Sequence, residues 1–258
     1  MIVELVQGGY SLLDKGHNQR VILNRIERSS ADLIVFGELF LTGYSVGDMV
    51  KNVAETIEGE TMNRICEGAR EKKKALIFGA VEEDSDLRGV YYNSAIVVDG
   101  DGVIDSYRKI SLPNFGSFNE KRIFKEGCET RIFDLGDMRV GVLICYDLFF
   151  PELSRSLLGA DVLIYISASP FASRSSFEKM LPARAIENSC YVVYVNLAGR
   201  EHSMLFWGGS RVIDPTGKEL LKLRYLEKDT GSLEIDPTTL RWFRFQRPVL
   251  RNAWSLGH

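Results

Sequence analysis

The sequence is poor in histidine and has no paired cysteines. Its three histidines, His17, His202 and His258, stand far apart and none sits in a segment resembling a triad, which disfavours a Cys-His protease. The four cysteines, Cys66, Cys128, Cys145 and Cys190, form no CxxC pair, so neither a zinc knuckle nor a disulfide framework is signalled. No His/Asp/Glu cluster has metal-ligand spacing, and no metal site is expected. A basic excess is missing too: the formal net charge is −3. Counterion release needs Lys and Arg gathered on one face, so nucleic acid is not an expected partner. No apolar run approaches the roughly 20 residues of a membrane span. The start, Met1-Ile2-Val3-Glu4-Leu5-Val6-Gln7, lacks a basic n-region and a cleavage site, so a cytoplasmic protein without a membrane partner is expected. No linker-like stretch divides the 258 residues, and a single domain over residues 1–258 is expected.

What is present is a strand-helix alternation that predicts an α/β fold. Apolar runs predict strands over residues 2–6, 32–38, 75–81, 93–99, 162–167 and 191–196, and amphipathic spacing predicts helices over 18–28, 60–74 and 177–188. Asp99-Gly100-Asp101-Gly102 reads as a hairpin turn, and residues 207–235 read as antiparallel hairpin material. The tail Arg241-Trp242-Phe243-Arg244-Phe245-Gln246-Arg247-Pro248 interleaves basic and aromatic residues. That pattern can mark single-stranded nucleic-acid binding. With the overall charge negative, a tail over 241–258 that docks on a neighbouring subunit is the favoured reading, with Trp242, Phe243, Phe245 and Trp254 as its apolar contacts.

Three of these segments end in chemistry. The run Val140 to Ile144 is apolar throughout, as in a strand buried on both faces, and leads into Cys145. Pro151 is a good first helical residue and Glu152 an acid in the first turn, so a helix is expected to begin just after the thiol. Ligands in open α/β sheets bind beyond the carboxyl ends of strands, where a helix start favours a thiolate and a developing oxyanion. Glu38 ends a second apolar run and is followed by the greasy Leu39-Phe40-Leu41-Thr42-Gly43-Tyr44, surroundings expected to raise a carboxylate toward the range of a general base. Lys109 ends a third, at the head of a loop of functional length that carries Phe115, Phe118 and Glu120. Taken singly, each has an ordinary reading: a buried small thiol, a strand-end acid, a solvated lysine. Together, a thiol, a carboxylate and an ammonium supply a nucleophile, a base and an oxyanion donor for acyl transfer through a thioester.

The order of these blocks resembles that of the nitrilase, or carbon-nitrogen hydrolase, superfamily. Glu38-Leu39-Phe40-Leu41-Thr42-Gly43-Tyr44 is similar to its glutamate block. Arg108-Lys109 followed by Glu120-Lys121-Arg122-Ile123-Phe124 is similar to its lysine block, and Cys145-Tyr146-Asp147 with Phe150-Pro151-Glu152 to its nucleophile elbow. Pro182-Ala183-Arg184-Ala185-Ile186-Glu187-Asn188 and Gly208 to Gly217 resemble later family segments. The resemblance implies a four-layer αββα sandwich and a homodimer or larger homo-oligomer, and no cofactor. It makes Cys145 the nucleophile, Glu38 the base, Lys109 an oxyanion donor beside the Tyr146 backbone N–H, and Glu120 a second carboxylate that orients the triad.

The triad alone does not separate amidases from carbamoylases, nitrilases, glutaminase domains or N-acyltransferases. The loop Leu112 to Phe118 is most similar to that of the glutaminase domains of NAD synthetases. Those often carry Tyr where Phe115 stands, and an acid where Tyr146 stands. Without that acid the α-ammonium of glutamine loses its ion pair. The expected substrate is therefore a small aliphatic or dicarboxylic-acid monoamide, bound by Phe115, Tyr146 and Ser169, with Arg174 a candidate carboxylate partner.

Overall fold

Strands of three to nine residues, alternating with amphipathic stretches, assemble in the computed structural model into two six-stranded mixed sheets. The structure describes residues 1–253. The first sheet has the order Asp229–Glu234, Ile2–Gln7, Leu33–Phe36, Ala75–Glu83, Tyr91–Val98, Ile104–Arg108. Ile2–Gln7, Leu33–Phe36 and Ala75–Glu83 run parallel, and the remaining pairings are antiparallel. The second sheet repeats the plan as Glu219–Lys222, Arg211–Ile213, Tyr191–Asn196, Val162–Ser167, Met138–Ile144, Ile132–Leu135, again with three parallel strands at its centre.

The period-two alternation of the first sheet sorts its residues between two cores. Val3, Leu5, Leu33, Val35, Ile77, Ala95 and Val97 share one buried cluster with the second sheet. Their strand neighbours Val6, Ile34, Phe36, Leu76, Phe78 and Ile96 pack instead with Ile22 and Ile26 of the helix Lys15–Arg28 and Met62 and Ile65 of the helix Glu60–Lys72. Phe177, Leu181 and Ala185 of the helix Arg174–Asn188 cover the second sheet. The result is the αββα sandwich expected from the resemblance. Among the described residues, no helix is long and apolar enough to cross a membrane.

Several boundaries move for identifiable reasons. The first helix starts at Lys15, because the Asp14 side chain accepts the His17 N–H and caps it. The second stops at Lys72, because Lys73 adopts a left-handed conformation and returns its N–H to Ala69 and Arg70. The strand predicted over 75–81 continues to Glu83, pairing Glu82 with Tyr92. Glu82 can be buried there because Ser94 Oγ (2.6 Å) and the Arg108 guanidinium engage its carboxylate.

The tail only partly matches its expectation. The helix Pro237–Gln246, capped by Asp236, docks on its own chain: Leu240 is buried, and Arg244 binds Asp161 Oδ1 (2.8 Å) and the Ala160 and Ser189 carbonyls. Trp242 and Phe245 are 58% and 81% exposed. Trp254 lies outside the described residues.

Candidate active site

The strand ends bring the expected residues to one buried place. Glu38 follows the strand Leu33–Phe36, and the turn behind it is sharp: Leu39 has φ 49°, and Gly79 of the adjacent strand sits against it. A Cβ on Gly79 would lie 2.0 Å from Leu39 N, so only glycine permits this approach. Lys109 follows the strand Ile104–Arg108, and Glu120 begins the short helix Glu120–Ile123. Lys109 Nζ bridges the two carboxylates, 2.6 Å from Glu38 Oε1 and 2.8 Å from Glu120 Oε1.

Cys145 ends the strand Met138–Ile144 with φ 45°, a left-handed conformation uncommon for any residue but glycine. Asp147 holds this turn. Its Oδ2 accepts the Ile144 N–H (3.0 Å) and the Tyr107 hydroxyl (2.8 Å), while Oδ1 accepts the Ser111 N–H (2.8 Å). The carboxylate thus ties the nucleophile turn to the segment that carries Lys109. The α-helix does not begin directly after the thiol. A 3₁₀ turn over Cys145–Phe149 intervenes, and the helix Pro151–Ser156 is only six residues long.

The electrostatics correct the expectation of a resting thiolate. Burial pushes the Cys145 thiol well up from its ordinary range, the Glu38 charge adds to this, and Lys109 opposes them without prevailing. Burial alone would drive the Lys109 ammonium down, but the charges of Glu120 and Glu38 reverse this and hold it above the usual lysine range. Burial, together with the Glu38 charge, raises the Glu120 carboxyl although Lys109 and Tyr44 bind it. The resting arrangement is a neutral thiol beside a charged lysine.

Four residues without a role in the sequence reading complete the cluster. Tyr44 donates its hydroxyl to Glu120 Oε1 at 2.6 Å. Asn93 donates Nδ2 to Glu38 Oε1 at 2.7 Å and to Glu120 Oε2 at 3.3 Å. Glu201, from the two-stranded ribbon Ala198–Glu201 and Met204–Trp207, accepts the backbone N–H groups of Tyr44 (3.1 Å) and Ser45 (2.7 Å). Asp147, already described, is the fourth. The available signal was polarity inside otherwise apolar segments, which also marks ordinary strand boundaries. The other Glu38 oxygen, Oε2, accepts the Ala168 N–H at 2.6 Å, so both oxygens of this carboxylate are held.

A cavity of about 320 Å³ opens onto Cys145. Phe115, Phe118, Tyr146, Phe149 and Phe177 give it an aromatic wall, and Ser169, Ser173 and Ser176 add polar points. None of the lining residues is charged. Phe115, Tyr146 and Ser169 thus line this cavity, with the Phe115 and Tyr146 rings 5.4 Å apart. Ser169 is fixed by Asn196, which accepts its N–H, and by Trp207, whose indole N–H it accepts at 3.2 Å. Arg174 does not stand there. Its guanidinium lies 5.1 Å from both the Phe171 and Tyr225 rings and 3.7 Å from Glu178, and it does not line the cavity. The cation-π contacts and the ion pair hold it on the rim.

The comparisons with known proteins agree with this architecture. The carbon-nitrogen hydrolase family model matches residues 3–245. The chain is 37% identical over 232 residues to a nitrilase of Pyrococcus abyssi, covering 86% of this chain and 84% of that protein. It is 33% identical over 228 residues to an (R)-stereoselective amidase of Pseudomonas sp., covering 86% and 80%. Among solved structures, a CN-hydrolase superfamily protein from Xanthomonas campestris with an arsenic adduct in its active site superposes with a TM-score of 0.91 at 25% identity, covering 100% of this chain and 98% of that one. With the family model spanning nearly the whole sequence and the sandwich shared throughout, this chain belongs to the carbon-nitrogen hydrolase, or nitrilase, superfamily.

Proposed function

We propose that the protein is an amidase that releases ammonia from small uncharged monoamides in the cytoplasm, through a thioester on Cys145. The observation that carries this reading is the buried Glu38–Lys109–Glu120 cluster beside a thiol that opens into a cavity. Glu38 takes the Cys145 proton as Sγ attacks the amide carbonyl. The Lys109 ammonium and the Tyr146 N–H stabilise the oxyanion, and the Glu38 proton passes to the leaving nitrogen. Water, deprotonated by Glu38, then attacks the thioester and frees the acid and the thiol. Glu120 holds Lys109 in place throughout. The aromatic wall excludes bulk water from these steps.

The uncharged lining narrows the substrate. With Arg174 on the rim, a dicarboxylic monoamide has no cation in the cavity to meet its free carboxylate, and glutamine has no acid to meet its α-ammonium. An unpaired buried charge costs far more than an exposed one, so an aliphatic or aromatic monoamide is favoured over both. Nitrile hydrolysis, carbamoyl hydrolysis and N-acyl transfer use the same triad and are the rival readings. A panel of amides, nitriles and N-carbamoyl compounds, scored by ammonia release with and without an added amine acceptor, separates them. Highest kcat/KM on glutamine, or turnover only when an acceptor amine is supplied, would defeat the proposal.

We propose further that the Trp242 and Phe245 face of the helix Pro237–Gln246 packs on a second copy of the chain, since two exposed aromatics one turn apart are poorly accommodated in water. Light scattering on Trp242→Ser/Phe245→Ser should report a smaller species than the unmodified protein.

A further inference from the structure

Strand Tyr91–Val98 lies between the strand that abuts the Glu38 turn and the strand that delivers Lys109. On one side it pairs with Ala75–Glu83, whose Gly79 abuts the Glu38 turn; on the other it pairs with Ile104–Arg108, which ends at Lys109. Asn93 of this strand hydrogen-bonds to both Lys109 and Glu38. Its carbonyl accepts the Lys109 N–H at 2.9 Å, and its amide reaches Glu38 Oε1 at 2.7 Å and Glu120 Oε2 at 3.3 Å. The side chain is fully buried in a strand whose next five residues, Ser94 to Val98, are buried as well. An apolar β-branched residue would suit such a position. The amide orientation is fixed by charge, because a carbonyl oxygen turned toward two carboxylates would be repelled by both.

Lys109 and Asn93 therefore each bridge the two carboxylates, one with charge and one without. The difference matters during turnover. A lysine that turns toward a substrate oxyanion loosens its hold on Glu38, and the neutral bridge must then keep the base aimed. We propose that Asn93 is a positioning residue that braces Glu38 against Glu120 while Lys109 serves the oxyanion. This inference rests on the proposed amidase reading and adds a residue to it.

The groups facing the two carboxylates are Lys109, Cys145 and the Tyr44 hydroxyl, with the Ala168 N–H on Glu38. Removing an N–H donor from a carboxylate favours its protonated form, so a variant lacking the amide loses active base at a higher pH. For Asn93→Ala the acid limb of the kcat/KM profile should move up by about one pH unit. Its kcat should fall roughly 10- to 100-fold, with KM changed by less than about threefold. Asn93→Asp has nearly the same size but brings a third acid, and should be less active than Asn93→Ala. A packing role predicts the reverse order and an unmoved profile.

Both variants are to be compared with Cys145→Ala on the best amide of the panel, with circular dichroism and melting to check folding. An Asn93→Ala acid limb that coincides with the unmodified one, while Cys145→Ala is inactive, overturns this inference and leaves the amidase reading standing. Ammonia release retained by Cys145→Ala overturns both. Should Asn93→Asp fail to fold, the Asn93→Ala profile decides alone.

Discussion

Lys109 Nζ lies 2.6 Å from Glu38 Oε1, and neither side chain exposes any surface to solvent. A buried pair of this kind is costly to assemble, and breaking it is costlier still, because the partner left behind is a buried charge without compensation. Here one ammonium serves two carboxylates, so its loss strands both.

Lys109→Met is accordingly expected to fail in two ways. Activity should drop by roughly 10²- to 10³-fold or more, as removal of an oxyanion donor does. Stability should drop by about 3–5 kcal/mol in urea denaturation. Adding Glu120→Gln removes one stranded charge, and should restore part of the stability and none of the activity. No recovery of stability in the double variant would mean that the two carboxylates do not share the lysine as argued.

Glu38→Gln separates chemistry from structure at the same place. Glutamine keeps the size of the side chain and Lys109 stays paired with Glu120, so the fold should be retained while the base is lost. A fall in kcat of roughly 10²- to 10³-fold with a melting temperature within a few degrees is expected. A variant that melts far lower yet turns over well would reverse the assignment.

The raised Cys145 thiol has a pH signature. In a Cys128→Ala background, which removes the exposed thiol, alkylation of Cys145 by iodoacetamide should accelerate steadily from pH 7 to 9. A thiolate paired with a cation would show a plateau instead. The sign for stability follows from the folded thiol holding its proton more tightly than the unfolded one, whose ordinary value is 9.0. This contribution is fully present below that value and is lost progressively as pH rises above it toward the higher value of the folded thiol. Alkylation that levels off below pH 7 would contradict the neutral thiol.

Gly79→Ala tests the backbone approach that aims Glu38. The new Cβ would fall 2.0 Å from Leu39 N and 2.7 Å from Glu38 Cα, and backbone cannot yield as a flexible side chain can. Stability and activity should fall together, the former by about 1–3 kcal/mol. Unchanged activity would show that the Glu38 turn tolerates displacement.

Much of this site was legible because its three central residues each end an apolar strand and because the blocks around them occur in a familiar order. Glu38, Lys109 and Cys145 stand together for that reason, and Phe115, Tyr146 and Ser169 line the cavity beside Cys145. What could not be read was contact across the sheet. Asn93 looks like the polar edge of a strand until Lys109, sixteen positions later, is seen to pair with it. Nor could the place of Arg174 be read, because Tyr225, one of the two rings beside it, comes from the distant segment between Glu219–Lys222 and Asp229–Glu234. The thiolate expected at a helix mouth fails because burial depth has no sequence signature, and because a 3₁₀ turn separates Cys145 from a short helix. Glu82 shows the same blindness elsewhere: a glutamate just beyond the strand predicted over 75–81 is buried within that strand because Arg108 reaches it.

The central claim is that the acyl group of an amide passes through Cys145. Acid-quenched mass spectrometry of the protein during turnover of its best monoamide, followed by peptide mapping, measures this directly. The account predicts a mass increase equal to the acyl group, carried by the Cys145 peptide and absent from Cys145→Ala, with ammonia released no later than the adduct appears. An adduct on another residue, or full ammonia release by Cys145→Ala, would contradict it.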